Sequence, residues 1–223
     1  MGKGGWIAAG SAGAVVVVLA LAQVLLPRLA ASRISSRVGR YGKVESVSVS
    51  AWPALKLLWG DANSVRVRAK SLSLSPAQAA GLLWEGRDVA SMDLSAQSVQ
   101  LESLHLTDAS LQQRGSALHA QALVSEAAVQ AALPTGFGVR LLRSEDGRVE
   151  VRATGGLFGV GASVNALALA SDGKLVAHPV GFLVEALQLT LFSNPHVYVE
   201  GVGASVAGED PLSYRLTMSA RLR

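Results

Sequence analysis

The chain opens with one long apolar segment, and shorter stretches in which apolar and polar residues alternate follow it. The segment runs from Trp6 to Leu26 and has only Ser11 and Gln23 as clearly polar side chains. As an α-helix with a rise of ~1.5 Å per residue, it would span ~31 Å, close to the apolar thickness of a bilayer. Lys3 precedes it, as a positive residue does in signal peptides and signal anchors. The pattern therefore predicts a membrane-targeting segment.

Two interpretations of this segment stay open. Ala20-Leu21-Ala22 has the small-residue pattern of a cleavage site, which predicts a signal peptide. Alternatively, residues 6–26 are retained as an anchor in the plasma membrane, because cleavable apolar regions usually have only ~7–15 residues. In either case residues 1–27 form a signal peptide or transmembrane helix, and residues 28–223 form a separate domain in the cell envelope or periplasm.

The residues after the apolar segment predict a second, amphipathic helix over residues 27–40. Arg33, Arg37 and Arg40 are spaced i, i+4 and i+7 and share one face of this helix. The face is interpreted either as a solvated surface or as a contact with lipid phosphates. More basic residues follow the apolar segment than precede it, and a strict positive-inside count would keep the domain in the cytoplasm. The prediction of export therefore depends on the family resemblance given below.

Beyond residue 42, alternating stretches predict about ten to twelve β-strands. In Val65–Ala69, valine and alanine alternate with basic residues, and Leu72 and Leu74 continue the apolar face one position out of phase. A β-bulge near Lys70-Ser71 would account for this slip. Val99–Leu106 is predicted as a further, continuous strand. Regular alternation of this kind indicates strands with one face buried and one face in contact with solvent.

Helix caps and tight turns separate the strands. Ser75-Pro76-Ala77-Gln78 combines an N-cap serine, a proline in the first turn and a glutamine three residues after the cap, which predicts a helix start. Ser125-Glu126 predicts the start of another short helix. Asp146-Gly147 and Asp172-Gly173 each lie between two alternating runs and predict β-hairpins. The C-terminal third of the chain is thus predicted to consist of hairpins.

Composition excludes several functional classes. The chain has no cysteine, so disulfides, thiolate metal sites and a lipidated-cysteine anchor are excluded. The net charge of +4 suits attraction to anionic lipid, whereas no basic run interleaved with aromatics suggests nucleic acid binding. No metal-ligand, nucleophile-elbow or phosphate-loop motif is present. We therefore predict a protein without cofactor or metal that is not an enzyme.

These elements together predict an α+β fold that is mostly β. We expect an elongated, strongly curved antiparallel sheet or barrel with two to three short helices, in addition to the N-terminal membrane helix. The predicted strands are rich in aliphatic residues on one face, and such a face can enclose a lipid-sized cavity. Acyl chains suit such a cavity because apolar burial is non-directional and contributes ~0.8 kcal/mol per methylene.

Candidate site residues fall into two groups. Tryptophans favour membrane interfaces, and two apolar patches carry them together with leucines, although the same side chains would equally fill a core. The candidate lipid-binding residues are Trp52, Leu55, Leu57, Leu58, Trp59, Leu83, Trp84, Phe158 and Phe182. The candidates for contact with a lipid head group or the membrane surface are Arg33, Arg37, Arg66 and Arg68, whose charge favours an anionic lipid.

The order and spacing of these elements resemble the LmeA-like phospholipid-binding family of actinobacteria. The residues that carry the resemblance are Val47–Leu55, Leu57–Gly60, Val65–Ala69, Ser125–Val129, and Asp172–Leu175 followed by His178-Pro179. The resemblance implies a periplasmic or cell-envelope protein with a barrel-like α/β fold similar to tubular lipid-binding domains and a central lipid cavity. It also implies binding of phospholipids such as phosphatidylinositol species and a role in maturation of envelope lipoglycans, with no catalytic residues. Trp52 departs from the family, which more often has a small residue there.

Three functional hypotheses follow. The first is a phospholipid-binding protein that supports lipid transfer or lipoglycan maturation in contact with the membrane. The alternative is a non-catalytic structural or assembly protein that binds an envelope protein partner through an open sheet edge, with side chains filling its inner face. An envelope enzyme is the third, and the absence of any local catalytic motif counts against it.

Overall fold

A computed structural model shows two β-sheets and three helices. It describes residues 23, 25–52, 62–133, 135–157, 160–180, 188–209 and 211–223. Most of the predicted transmembrane segment lies outside these residues. Among the helices within them, none combines the length and the apolar character needed to cross a bilayer. The prediction of a membrane helix over residues 6–26 therefore stays a prediction.

Two of the three described helices begin at the predicted N-caps, Ser75 and Ser125. Helix α1 covers residues 25–38, across the predicted boundary after residue 27, and a 3-10 turn, Gly39–Tyr41, follows it. Helix α2 is Pro76–Glu85 and helix α3 is Glu126–Ala132. At the start of α2, Ser75 Oγ accepts from the Gln78 N–H at 3.2 Å and Gln78 Oε1 accepts from the Ser75 N–H at 2.8 Å. This reciprocal pair satisfies two donors at the helix start, and it confirms the predicted capping box.

The larger sheet has seven strands, in the order β1-β2-β3-β4-β5-β12-β11. These strands are β1 (Gly42–Ser50), β2 (Ser64–Leu74), β3 (Ser91–Leu101), β4 (Leu104–Arg114), β5 (Ala117–Ser125), β11 (Val197–Glu209) and β12 (Leu212–Leu222). Strands β2 and β3 are parallel, so the prediction of a wholly antiparallel sheet is wrong for this pair. The chain returns through α2 between them, and such a crossover lets neighbouring strands run in the same direction.

Local irregularities of this sheet confirm one prediction and correct another. The register between β1 and β2 shifts where Lys43 pairs with Ser71 and Val44 pairs with Ala69, which leaves Lys70 as the extra residue of the predicted bulge. The predicted continuous strand Val99–Leu106 is wrong, because a turn with Glu102 at a φ of 53° divides it between β3 and β4. The alternation changes phase at this turn, and that change is visible in the sequence.

The smaller sheet has five antiparallel strands, in the order β10-β9-β8-β7-β6. These are β6 (Phe137–Glu145), β7 (Arg148–Leu157), β8 (Val160–Ser171), β9 (Lys174–Val180) and β10 (Leu189–Phe192). In both predicted Asp-Gly turns, the aspartate and the glycine have positive φ angles between 51° and 76°. Two consecutive positive φ angles match the twist of a hairpin, so both hairpin predictions are confirmed.

The two sheets meet along the edge strand β11. The Val199 N–H donates to Gly173 O at 2.9 Å, and the Val202 N–H donates to Gly147 O at 3.3 Å. The Ala204 N–H donates to Ser144 Oγ at 2.9 Å. The turns of the smaller sheet therefore occupy donors of an otherwise open edge. Among the described strands neither sheet closes on itself, so the closed barrel, one of the two predicted alternatives, is wrong for this part of the chain.

The helices cover one face of the larger sheet, and the main core lies there. Helix α1 packs Ala30, Ala31 and Ile34 against a cluster that contains the buried Val65 and Val67. Helix α3 packs near Val124 and Tyr214, and Ala80 of α2 lies in a third cluster with Leu118 and Ala220. The opposite face of this sheet carries exposed polar residues such as Arg66 and Arg68. The larger sheet is thus a layer with one covered apolar face and one polar face.

Candidate functional site

One side of the smaller sheet carries uncharged, mostly aliphatic side chains in the rows given next. We call this side the apolar face. Strand pairing places Leu189, Ala177, Ala168 and Val149 in one row across β10 to β7, because paired residues point to the same side of a sheet. The neighbouring rows on this side are formed by Leu141, Val151, Ala166 and Pro179, by Val139, Ala153 and Val164, and by Ala170, Leu175 and Phe192. None of these side chains is charged.

The apolar face continues the core of the protein and then leaves it. Leu141 packs against the cluster under α3, and Phe192 packs against the cluster that contains Leu118. Farther out, Val164 is 37% exposed and Leu189 is 63% exposed. Of helices α2 and α3, only α3 packs extensively against this sheet, beside β6. An apolar surface that begins in the core is therefore left open to a ligand.

The other side of the smaller sheet carries a group of paired polar side chains on β6, β7 and β8. Arg143 Nε donates to Glu150 Oε2 at 2.6 Å, and Asn165 Nδ2 donates to Glu150 Oε1 at 3.4 Å. Arg152 Nε donates to Asn165 Oδ1 at 3.3 Å. These side chains alternate along β6, β7 and β8 with those of the apolar face. The charged side chains of the paired strands thus lie on this second side, which also carries Leu167, Leu169 and the fully buried Val176.

Of the lipid-binding candidates outside α2, the structure describes only Trp52. Trp52 follows β1 directly and is 75% exposed, and its backbone N–H donates to Asn63 Oδ1 at 2.9 Å. An indole that projects into solvent at a strand end is suited to a membrane interface. The candidates Leu55, Leu57, Leu58, Trp59, Phe158 and Phe182 lie outside the described residues. Lipid contact by all of them stays a prediction.

The two candidates on α2 take part in packing within the protein. Leu83 contacts both the cluster around Val65 and the cluster around Leu118. The Trp84 ring stacks on the His196 imidazole, with ring centroids 4.2 Å apart and an interplanar angle of 18°. The Arg87 guanidinium carbon lies 4.3 Å from the centre of the same indole. These contacts hold α2 to the segment before β11.

The four arginine candidates do not form one patch. Arg33 and Arg37 lie on α1, which packs on the apolar side of the larger sheet, whereas Arg66 and Arg68 project from β2 on the opposite side. Arg37 Nη1 lies 2.6 Å from Glu85 Oε2, and Arg66 Nε lies 3.7 Å from an Asp93 carboxylate oxygen. Exposed ion pairs contribute only ~0–1 kcal/mol, so these arginines remain available for competing anions.

No residue of the apolar face is among the candidates predicted from the sequence. The strands were predicted, and their aliphatic face in general was expected to enclose a lipid cavity, but its individual residues were not identified. One signal could have found it: the sequence predicts no helix after residue 133, so nothing is available there to cover the alternating positions of Val149–Ala153 and Val164–Ala170. An apolar strand face with no predicted cover is itself a pointer to a ligand or partner.

An open, uncharged apolar face continuous with the core suits an apolar ligand such as a lipid, or a protein partner. The profile of the family described as "LmeA-like phospholipid-binding" matches residues 17–219. The chain therefore belongs to this phospholipid-binding family. Neither a curated protein nor a solved structure matches the chain.

Proposed function

We propose that the protein binds a phospholipid by placing its acyl chains against the apolar face of the smaller sheet. The observation that carries this proposal is the open continuation of the core onto β7, β8, β9 and β10, where Val164 and Leu189 are exposed. Family membership supports phospholipid as the ligand class. Acyl chains fit this surface because it offers apolar contacts and no charged group that would lose its hydration on contact.

The energetics favour chains that lie flat over several strands. Each methylene that leaves water contributes ~0.8 kcal/mol, so about five covered methylenes contribute ~4 kcal/mol before the entropy of ordering the chain is subtracted. Two acyl chains side by side could cover more of the same face. Affinity is thus expected to increase with acyl chain length and to depend little on the positions of double bonds.

The cellular setting that we propose is the envelope. The apolar segment at residues 6–26 would anchor the protein in the plasma membrane, and α1 follows directly. Arg33 and Arg37 on α1 would then lie near lipid phosphates, which favours an anionic phospholipid. In this setting the protein acts without a cofactor, as a carrier in lipid transfer or as a lipid-presenting factor in lipoglycan maturation.

Photo-crosslinking tests this proposal. The full chain, in micelles of tetraethylene glycol monooctyl ether, is titrated with a phosphatidylinositol that carries a diazirine in one acyl chain. Mass spectrometry of the peptides then locates the attached lipid. We expect attachment to β7 to β10 at residues of the apolar face. Labelling confined to the helices, or no labelling above that of a soluble control protein, would overturn the proposal and favour a protein partner instead.

Two neighbouring residues provide a matched pair of variants. Val164→Asp places a carboxylate on the apolar face, whereas Ser163→Asp places it one residue earlier on the same strand and on the opposite side. Both side chains are exposed, so both variants should fold. We expect Val164→Asp to reduce labelling at least tenfold, because the carboxylate would be desolvated under an acyl chain. Equal labelling of the two variants would contradict the proposed face.

A further inference from the structure

A polar groove lies on the side of the larger sheet that no described helix covers. Its volume is about 530 Å³. Its floor crosses four strands in two rows: Gln112, His119, Ser219 and Gly201 form one, and Ser110, Gln121, Thr217 and Gly203 form the other. The turn of the β6–β7 hairpin, Ser144–Gly147, forms a wall. The groove is therefore separated from the apolar face by the thickness of the sheet layer.

Glycines keep this floor open. A Cβ at Gly203 would lie 2.6 Å from Thr217 Oγ1, and a Cβ at Gly201 would lie 3.2 Å from Ser219 Oγ. The absence of side chains at both positions leaves the hydroxyls accessible and lets the hairpin turn approach β11. Gly147 O and Ser144 Oγ hold that turn in place through their hydrogen bonds to β11.

The hydrogen-bonding groups on the floor are amides, hydroxyls and one imidazole, and most of them are unused. Gln112, His119, Gln121 and Thr217 make no side-chain hydrogen bond within the described part of the protein. Amide and hydroxyl groups donate and accept equally well, and so does a neutral imidazole. The groove thus presents a closely spaced array of mixed donors and acceptors, which matches a ligand whose own groups both donate and accept.

The charges of the groove decide between ligand classes. Among the described residues, its lining carries the carboxylates of Glu145 and Asp146 in the hairpin turn and the imidazole of His119, with no lysine or arginine. A phosphate group would be repelled there and would find no cation to bind. Hydroxyl groups, in contrast, donate well to carboxylates. The lining therefore favours a neutral, hydroxyl-rich ligand over a lipid phosphate.

The polar surface extends beyond one groove. Ser110 and Gln121 also line a second groove of about 450 Å³, which reaches Glu45, Arg68 and Asp108 near β1 and β2. The shared residues make the two grooves continuous across the sheet. At ~4.8 Å between neighbouring strands, the four strands under the first groove alone span ~14 Å, which exceeds the length of one sugar ring.

From this geometry we propose that the polar trough is a second binding site, for a neutral saccharide. The saccharide lies along β4, β5 and β12, with its hydroxyls bound by Gln112, Gln121 and Thr217 and by the carboxylates of the hairpin turn. This site is distinct from the proposed acyl-chain site, because it lies on the opposite side of the sheet layer and uses none of the residues of the apolar face. Arg68 at its far end lies among the carboxylates of Glu45 and Asp108.

Saturation-transfer NMR on the full chain tests this proposal. The micelles of tetraethylene glycol monooctyl ether contain no sugar, and no phospholipid is added. The probes are methyl glycosides of glucose, galactose and mannose, with maltotriose and mannotriose as longer ligands. We expect saturation transfer to at least one sugar series, and tighter binding of the trisaccharide than of its methyl glycoside because it extends into the second groove.

Conservative variants identify the site. Thr217→Val removes one hydroxyl without changing the side-chain shape, and Gln121→Leu removes the amide shared by both grooves. Each should weaken saccharide binding about threefold to tenfold, the effect of one hydrogen bond. Thr190→Val is the matched control, because Thr190 is an exposed strand threonine on β10, away from the trough. No saturation transfer at millimolar sugar, or binding unaffected by both trough variants, would overturn the proposal, whatever the outcome of the lipid experiment.

Discussion

On the open apolar face, one leucine side chain should contribute part of its burial free energy to folding and the rest to lipid binding. Leu189→Ala removes three carbon groups, which are worth ~2.4 kcal/mol when fully buried. Leu189 is 63% exposed in the lipid-free protein. About 0.9 kcal/mol should therefore be lost from the free energy of unfolding, and about 1.5 kcal/mol should be lost only when an acyl chain covers the position. The second loss corresponds to an affinity about tenfold weaker.

Leu118→Ala is the matched core substitution. Leu118 is only 1% exposed, between the sheet and Ala80 of α2. The transfer term and the cavity left behind should together reduce the free energy of unfolding by about 3–5 kcal/mol. Lipid affinity should not change, because the side chain lies beneath the helix layer. The same substitution is thus expected to weaken mainly lipid binding at Leu189 and mainly folding stability at Leu118.

Two assays on the full chain in detergent micelles measure this distribution. Urea unfolding followed by far-ultraviolet circular dichroism gives the free energy of unfolding, and titration with the photoreactive phosphatidylinositol gives the half-saturating lipid concentration. If Leu189→Ala destabilises the fold as much as Leu118→Ala, the face is covered in the lipid-free protein and the prediction is wrong. The prediction is also wrong if Leu189→Ala leaves the half-saturating lipid concentration unchanged.

Two further predictions concern the fold that supports these sites. Gly42→Ala would bring a Cβ to 2.0 Å from Ser71 O, so we expect a severe loss of thermal stability. Gly39→Ala, whose Cβ meets no atom within 4 Å, should have little effect. Similar melting temperatures of the two variants would contradict this prediction. Gln113 is fully buried, and its Nε2 donates to Gly86 O at 3.3 Å, whereas its Oε1 has no hydrogen-bond partner in the described part of the protein. Gln113→Leu removes this unpaired acceptor, and Gly86 O keeps the Val89 N–H, so the free energy of unfolding should change by less than about 1 kcal/mol. A loss of more than about 2 kcal/mol in urea unfolding would contradict this.

Local features of the fold were predictable because neighbouring residues determine them. The capping box at Ser75, the bulge at Lys70 and the two Asp-Gly turns each depend on side chains a few positions apart. The division of Val99–Leu106 was missed because a two-residue turn without glycine or proline gives a weak signal. The phase change of the apolar positions was the better indicator.

Features that depend on distant residues were not predictable in the same way. The crossover through α2 makes β2 and β3 parallel, and alternation along a strand carries no information about the direction of its neighbour. The docking of Gly147 and Gly173 on β11 joins residues far apart in the chain. The apolar face and the polar trough arise only when these strands are placed side by side, so neither could be read from single segments.

The positions of the two sites restrict what one ligand could do. Strands β6 and β7 contribute Leu141 and Val151 to the apolar face, while the turn between them contributes Glu145 and Asp146 to the trough. A phospholipid with a compact head group, seated on the apolar face, could not reach the floor of the trough through the hydrogen-bonded layer. A ligand that occupied both sites would have to pass around this hairpin, with acyl chains on one side and a long, neutral polar part on the other. The two proposed sites therefore correspond either to separate ligands or to one amphiphile whose polar part is several rings long.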